Sequence, residues 1–126
     1  MKYLCDTCIL IDYLRGKEEI KAKLSEDRKD GLGMSAITYM ELIVGAFNKR
    51  EVNAIKKAFA DFQIIELSAA ISRKASYLIE TYSKSHGLLI PDALIAATAL
   101  EYNIPLYTAN LSDFRFIPDL TLESMK

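Results

Sequence analysis

The chain has 126 residues, about half of them apolar, with 16 basic and 17 acidic side chains and a formal charge of −1. That fits one ordinary domain with a proper core, here residues 1–126, and a net charge that by itself favours no partner. No apolar run is long enough to cross a bilayer, MKYLCD passes straight into a strand pattern without a signal peptide, and the two cysteines look like free thiols, so the expectation is a cytoplasmic protein with no membrane partner.

KYLCD reads as a short buried strand, and TCILIDYLRG as a helix with Ile9/Tyr13 and Leu10/Leu14 at i,i+4 and Gly16 as its stop. KEEIKAKLSEDRKD reads as a polar amphipathic helix carrying Ile20 and Leu24, and Gly31 to Met34 as a second strand. Ser35 can cap the next helix, where Ile37, Met40, Val44 and Phe47 form a 3-4-3 core stripe with Glu41 at its rim. REVNAIKKAFADF repeats the pattern with Val52, Ile55, Phe59 and Phe62, and QIIEL reads as a third strand. Ser68 caps a long helix with Ile71, Ala75, Leu78 and Tyr82 on one face and Gly87 at its C′ position. Pro91 suits the first turn of the following helix, whose DALIAATAL is apolar on nearly every side and should be central and buried. PLYTA reads as a fourth strand and LTLES as a fifth. Strands alternating with helices argue for an α/β fold with a parallel sheet covered on both faces.

Four acids stand alone at the edges of these apolar segments: Asp6, Glu41, Asp92 and Asp113. In parallel sheets ligands bind at the carboxyl ends of the strands, and all four can converge on that edge. A charge set against hydrocarbon is costly unless paired, and no matching set of Lys or Arg lies nearby, so a divalent metal is the simplest common partner. Simpler readings exist for each: Asp6 as an N-cap, Asp92 as a helix-dipole partner, Glu41 as a solvated residue, Asp113 and Asn110 as turn residues. Setting the four aside leaves 16 basic against 13 acidic residues, a formal +3, with basic pairs at Arg28-Lys29, Lys49-Arg50, Lys56-Lys57 and Arg73-Lys74. A mildly basic surface around an acidic metal pocket suits a phosphodiester substrate, although each pair also reads as a solvated helix face.

Cys5 and Cys8 form C-x-x-C, but no second pair accompanies them and His86 is the only histidine, so core packing is the expectation rather than zinc or redox chemistry. His86 falls at a helix C-terminus, where partial positive charge is welcome, and no histidine base is expected. Haloacid-dehalogenase phosphatases carry a second Asp two positions after the first. Here that position is Cys8, which argues against a phosphoenzyme, and the chain has no Gly-rich phosphate loop.

YLCDTCIL, MSAITYMELIVGA, LLIPDALIAATAL and PLYTANLSDF together resemble the PIN-domain family, most of all its VapC-type toxin ribonucleases. The four stretches follow the family's order and spacing and cover about half the chain. The resemblance implies a three-layer α/β/α sandwich with a short parallel sheet and a Mg²⁺- or Mn²⁺-dependent endoribonuclease cleaving RNA. It places metal-binding and catalytic acids at Asp6, Glu41, Asp92 and Asp113, and supporting groups at Thr7, Thr108 and Asn110. It also implies a homodimer, and a cognate antitoxin that lays a peptide into the active-site groove. One departure is Cys8, where these proteins more often have Asn or Ser; it puts polar support from that position in question, but not the metal site. Two other readings stay open: a stand-alone RNA-processing nuclease, and a non-catalytic PIN-like interaction module.

Overall fold

The computed structural model describes residues 1–124. Five parallel strands form one sheet in the order β3-β2-β1-β4-β5: β1 Tyr3–Cys5, β2 Leu32–Ser35, β3 Gln63–Ile65, β4 Leu106–Tyr107 and β5 Leu122–Glu123. Six helices connect them: α1 Thr7–Leu14, α2 Glu18–Asp27, α3 Ala36–Val44, α4 Lys49–Ala58, α5 Ala69–His86 and α6 Ile90–Tyr102. β1 is central, pairing Leu4 with Gly33 of β2 on one side and with Leu106 of β4 on the other.

The two-residue period of a strand sorts the core into two halves. Leu4 and Leu106 point into one half with Ile71, Ala75 and Leu78 of α5 and the apolar side of α6. Cys5 and Tyr107, their neighbours in sequence, point into the other with Ile9, Leu10, Ile20, Leu24 and Ile55 of α1, α2 and α4. The result is the three-layer α/β/α sandwich expected. Most helix boundaries follow the expected signals. Ser35 accepts from Ile37 N at 3.2 Å, Ser68 accepts from Ile71 N at 3.2 Å, and Gly87 takes up the left-handed conformation that ends α5. β2 begins and ends one residue later than expected.

The apolar stripe expected on α3 is not the buried one. Val44 and Phe47 are 84% and 87% exposed, and Met40 is exposed too, whereas Thr38 and Leu42 are buried, with Tyr39, Ile43 and Ala46 packed beside them. AITYMELIV is apolar on most sides, so two stripes compete, and packing against α1 and α4 selects the Thr38/Leu42 side. The helix also ends at Val44, which leaves Phe47 outside it. Glu41 lies between the two stripes on the helical wheel, so its rim position survives the change.

Charged groups are handled differently at the two ends of β1. Near its start, Asp27 is 3% exposed yet doubly paired: Lys2 Nζ donates to Oδ1 at 2.8 Å, and Lys23 Nζ stands 3.1 Å from Oδ2 without a directed hydrogen bond. Burial pushes this carboxyl up, but the two lysines outweigh it and hold it below the ordinary range. Two of the basic pairs are partly tied up. Arg28 reaches Asp61, Tyr13 and the Ala58 carbonyl, and Lys74 stands 3.7 Å from Glu101.

Because the folded value of Asp27 lies below 3.8, the pair stabilises the protein fully above that pH and progressively less as the pH falls below it. Asp27→Asn should cost about 2 kcal/mol near neutral pH, the range for hydrogen bonds to charged groups. Thermal melts of both proteins should converge as the solution is acidified below the Asp range; a constant gap would assign the cost to packing instead.

Candidate active site

Asp6 follows β1 directly and caps α1, with Oδ1 accepting from Thr7 N at 2.8 Å. The cap reading of this residue is therefore correct but incomplete, because Oδ2 faces another way. It accepts from Thr108 Oγ1 at 2.8 Å and from Cys8 Sγ at 3.3 Å. The residue is 4% exposed. Burial raises its pKa, the bonds from Thr108, Cys8 and Thr7 pull it back, the Glu41 charge raises it, and the net direction is upward. Thr108 Oγ1 also accepts from Asn110 N at 3.0 Å, so the loop after β4 is locked to Asp6 through one hydroxyl.

Glu41 reaches the same centre from α3. Thr7 Oγ1 donates to its Oε1 at 2.7 Å and lies 3.0 Å from the Thr38 hydroxyl. Asp92 enters from the first turn of α6, where the N-cap is Leu89 and offers no side-chain cap. Half-buried, it has no hydrogen bond or ion pair among the described residues. Its pKa is raised to about 6, first by burial, then by the charges of Asp6, Asp113 and Glu41. Asp113 ends the 3-10 turn Leu111–Asp113 and is exposed, its backbone N–H donating to Asn110 O at 3.0 Å. The four acids predicted from the sequence thus stand close enough for Asp92 to feel the other three. Of the supporting residues, Thr7 and Thr108 bond to them, while Asn110 contributes through its backbone.

Both cysteines pack as expected, Cys8 at the edge of the core, but Cys8 also reaches the site. Cys5 is fully buried in the core, but Cys8 is only partly buried and its thiol leans on Asp6 and, at 3.8 Å, on Thr108. Its pKa is pushed up to about 11 by burial and by Asp6, so it acts as a neutral S–H donor. Position 8 therefore does support the first acid. Thr38, a polar neighbour of Glu41 on the same helix, joins the site through the Thr7 hydroxyl.

The available donors are oxygens, suited to a hard cation, and none of the four acids pairs with a Lys or Arg among the described residues. Among those residues, no group of three or more His, Cys, Asp or Glu is arranged to hold an ion directly. The set therefore fits Mg²⁺ or Mn²⁺ held by one or two carboxylates, with water and substrate filling the rest, and does not fit an all-protein cage. Beside it runs an open cleft of about 450 Å³ between α1, α3 and α4, walled by Ile11, Leu14, Leu42, Ala46 and Ile55, with Arg15 and Glu51 on its lining. Of the four acids, only Glu41 lines this cleft.

The sequence matches the PIN domain family over residues 3–117. It is 33% identical over 119 residues to ribonuclease VapC10 of Mycobacterium tuberculosis, covering 93% of this chain and 89% of that protein. It is 32% identical over 124 residues to ribonuclease VapC1 of Methanocaldococcus jannaschii, covering 97% and 85%. Its fold superposes on a toxin-antitoxin complex from Klebsiella pneumoniae with a TM-score of 0.83 and 34% identity, covering 99% of this chain and 98% of that one. VapBC-1 from nontypeable Haemophilus influenzae gives 0.82 and 28%, with the same coverage.

A carboxyl whose folded pKa is about 6 rather than 3.8 binds its proton more tightly in the folded chain. Its ionised form costs stability fully above the folded value, and that cost is relieved as the pH falls through 6 toward 3.8. Metal-free protein should therefore gain relative stability on this account between about pH 7 and pH 5, and Asp92→Asn should melt higher than the parent at neutral pH with a flatter profile. Scanning calorimetry in EDTA reads both. Identical melting at neutral pH would reduce Asp92 to a helix-end residue, since Asn serves there about as well.

Proposed function

Because the chain belongs to the PIN domain family, we propose that it is a divalent-metal-dependent endoribonuclease and the toxin of a toxin–antitoxin pair. In this reading residues 1–126 are one PIN-like domain working in the cytoplasm. The observation that carries the proposal is Asp92. A carboxylate raised first by burial and then by three other acids, with no ion pair among the described residues, is costly unless a positive ligand belongs there.

Asp6 and Asp92 are the residues to hold a Mg²⁺ or Mn²⁺ ion, with Glu41 and Asp113 completing the acidic wall. Such an ion, when bound, neutralises charge on the phosphate and lowers the pKa of water. The protein supplies the geometry. Thr108 and Cys8 fix one oxygen of Asp6, the Thr7 N–H fixes the other, and the Thr7 hydroxyl fixes Glu41. Water attacks the phosphorus in line, its oxygen forming the new P–O bond as the bond to the leaving ribose oxygen breaks. The water's proton passes to Glu41 or to the exposed Asp113, and the leaving oxygen takes up a proton from solvent.

The apolar cleft beside Glu41 suits a peptide better than a polar substrate, and an antitoxin segment is its proposed occupant. The likeness to the toxin-antitoxin complex from Klebsiella pneumoniae supports that partner. The exposed Met40 and Val44 on the outward side of α3, with Phe47 just beyond its end, support a homodimer, since a second copy there would take them out of water.

Loss of groups that merely orient a metal ligand costs about 10–100-fold in metal affinity or activity, so Asp6→Asn and Asp92→Asn should lower RNA cleavage by at least about a hundredfold, with native circular dichroism. Thr108→Val should fall within about that 10–100-fold range, and Thr108→Ser should stay near the parent. Purified, natively folded Asp6→Asn that cleaves RNA at the parental rate would end the four-acid reading. Expression of the parent alone should arrest growth and Asp6→Asn should relieve it; normal growth with abundant soluble parent would count against a toxin.

A further inference from the structure

His86 ends α5, just before the helix that carries Asp92, and Phe116 follows the turn that ends at Asp113; neither has a role in the chemistry above. Their rings stack with centroids 4.3 Å apart and 19° between planes. Tyr82 braces both, at 5.6 Å from His86 and 5.1 Å from Phe116, and Ser85 Oγ lies 2.8 Å from His86 Nδ1. The imidazole is thus held on one face, at an edge and at one nitrogen, yet His86 is exposed. A helix C-terminus explains why a histidine is welcome at 86. It does not explain an exposed ring laid flat on a partly buried phenylalanine. Along the chain, Phe116 follows Asp113 by three residues and His86 precedes Asp92 by six, which limits the separations to at most roughly 11 and 22 Å. Between Asp113 and Phe116, Arg115 is exposed and joins none of the ion pairs among the described residues.

We propose that the His86–Phe116 stack, with Arg115 beside it, is a subsite for one unpaired nucleobase of the RNA flanking the scissile phosphate. It rests on the ribonuclease reading. A pre-positioned aromatic face binds bases of any identity, and an adjacent cation holds the backbone, so the subsite selects single-stranded RNA rather than a sequence. Double-stranded RNA keeps its bases stacked and cannot use it.

The test uses the full chain carrying Asp6→Asn, so that RNA stays intact, and short single-stranded RNAs with 2-aminopurine scanned along their length. Stacking on the imidazole should quench the fluorophore at one position. His86→Ala should weaken binding about tenfold and abolish that quench, and His86→Phe should restore both. Arg115→Ala should weaken binding and lower the salt slope by about one phosphate's worth while leaving the quench in place. Unchanged affinity and quenching in His86→Ala would overturn the subsite while leaving the ribonuclease reading intact. Absence of any RNA binding by the His86-containing chain would overturn both.

Discussion

The carboxylate of Asp6 is held out of water at the end of the central strand, and the rest of the site is built around that cost. Its two oxygens receive three donors from two segments: the Thr7 amide and Cys8 thiol from α1, and the Thr108 hydroxyl from the loop after β4. These bonds stabilise the ionised form, but burial and the facing Glu41 charge still leave the net direction upward. Among the described residues, no cation pairs with Asp6 to offset the remainder. The site is therefore tense in the isolated protein, and the tension is what makes it receptive to a positive ligand.

Asp27 shows that the same chain can bury an acid without tension. It is as shielded as Asp6 but has Lys2 and Lys23 beside it, and its carboxyl is held low rather than pushed high. The contrast separates a structural acid from a functional one better than burial does. Partners, and not depth, tell the two apart.

Much of this was legible in the sequence because turn chemistry and periodicity acted together. Ser35, Ser68 and Gly87 declare helix ends by chemistry that packing does not override, and DALIAATAL has no polar side to expose. The four acids were legible for the opposite reason, as polar residues in places where apolar ones would fold as well. The α3 stripe was not legible. With apolar residues on most sides of AITYMELIV, the spacing of Met40 and Val44 is as good as that of Thr38 and Leu42, and only α1 and α4 decide between them. Cys8 packs against the core as expected, but its contact with Asp6 was not legible, because the direction of the thiol depends on how Asp6 starts α1. The stack of His86 on Phe116 joins residues thirty positions apart and leaves no local signature.

The Asp6–Thr108 hydrogen bond links residues 102 positions apart, and β1 cannot be flanked on both sides until β4 has docked. A parallel sheet assembled from such distant strands closes late, because long loops must be ordered before their contacts form. The acids are consequently inert for most of the chain's synthesis. Asp6 is then a solvated side chain at an ordinary pKa, Asp92 has no neighbours to repel it, and the nucleic acids surrounding a growing chain meet no assembled centre. The acidic cluster is complete only once β4 has docked beside β1, which ties the activity proposed for it to that pairing.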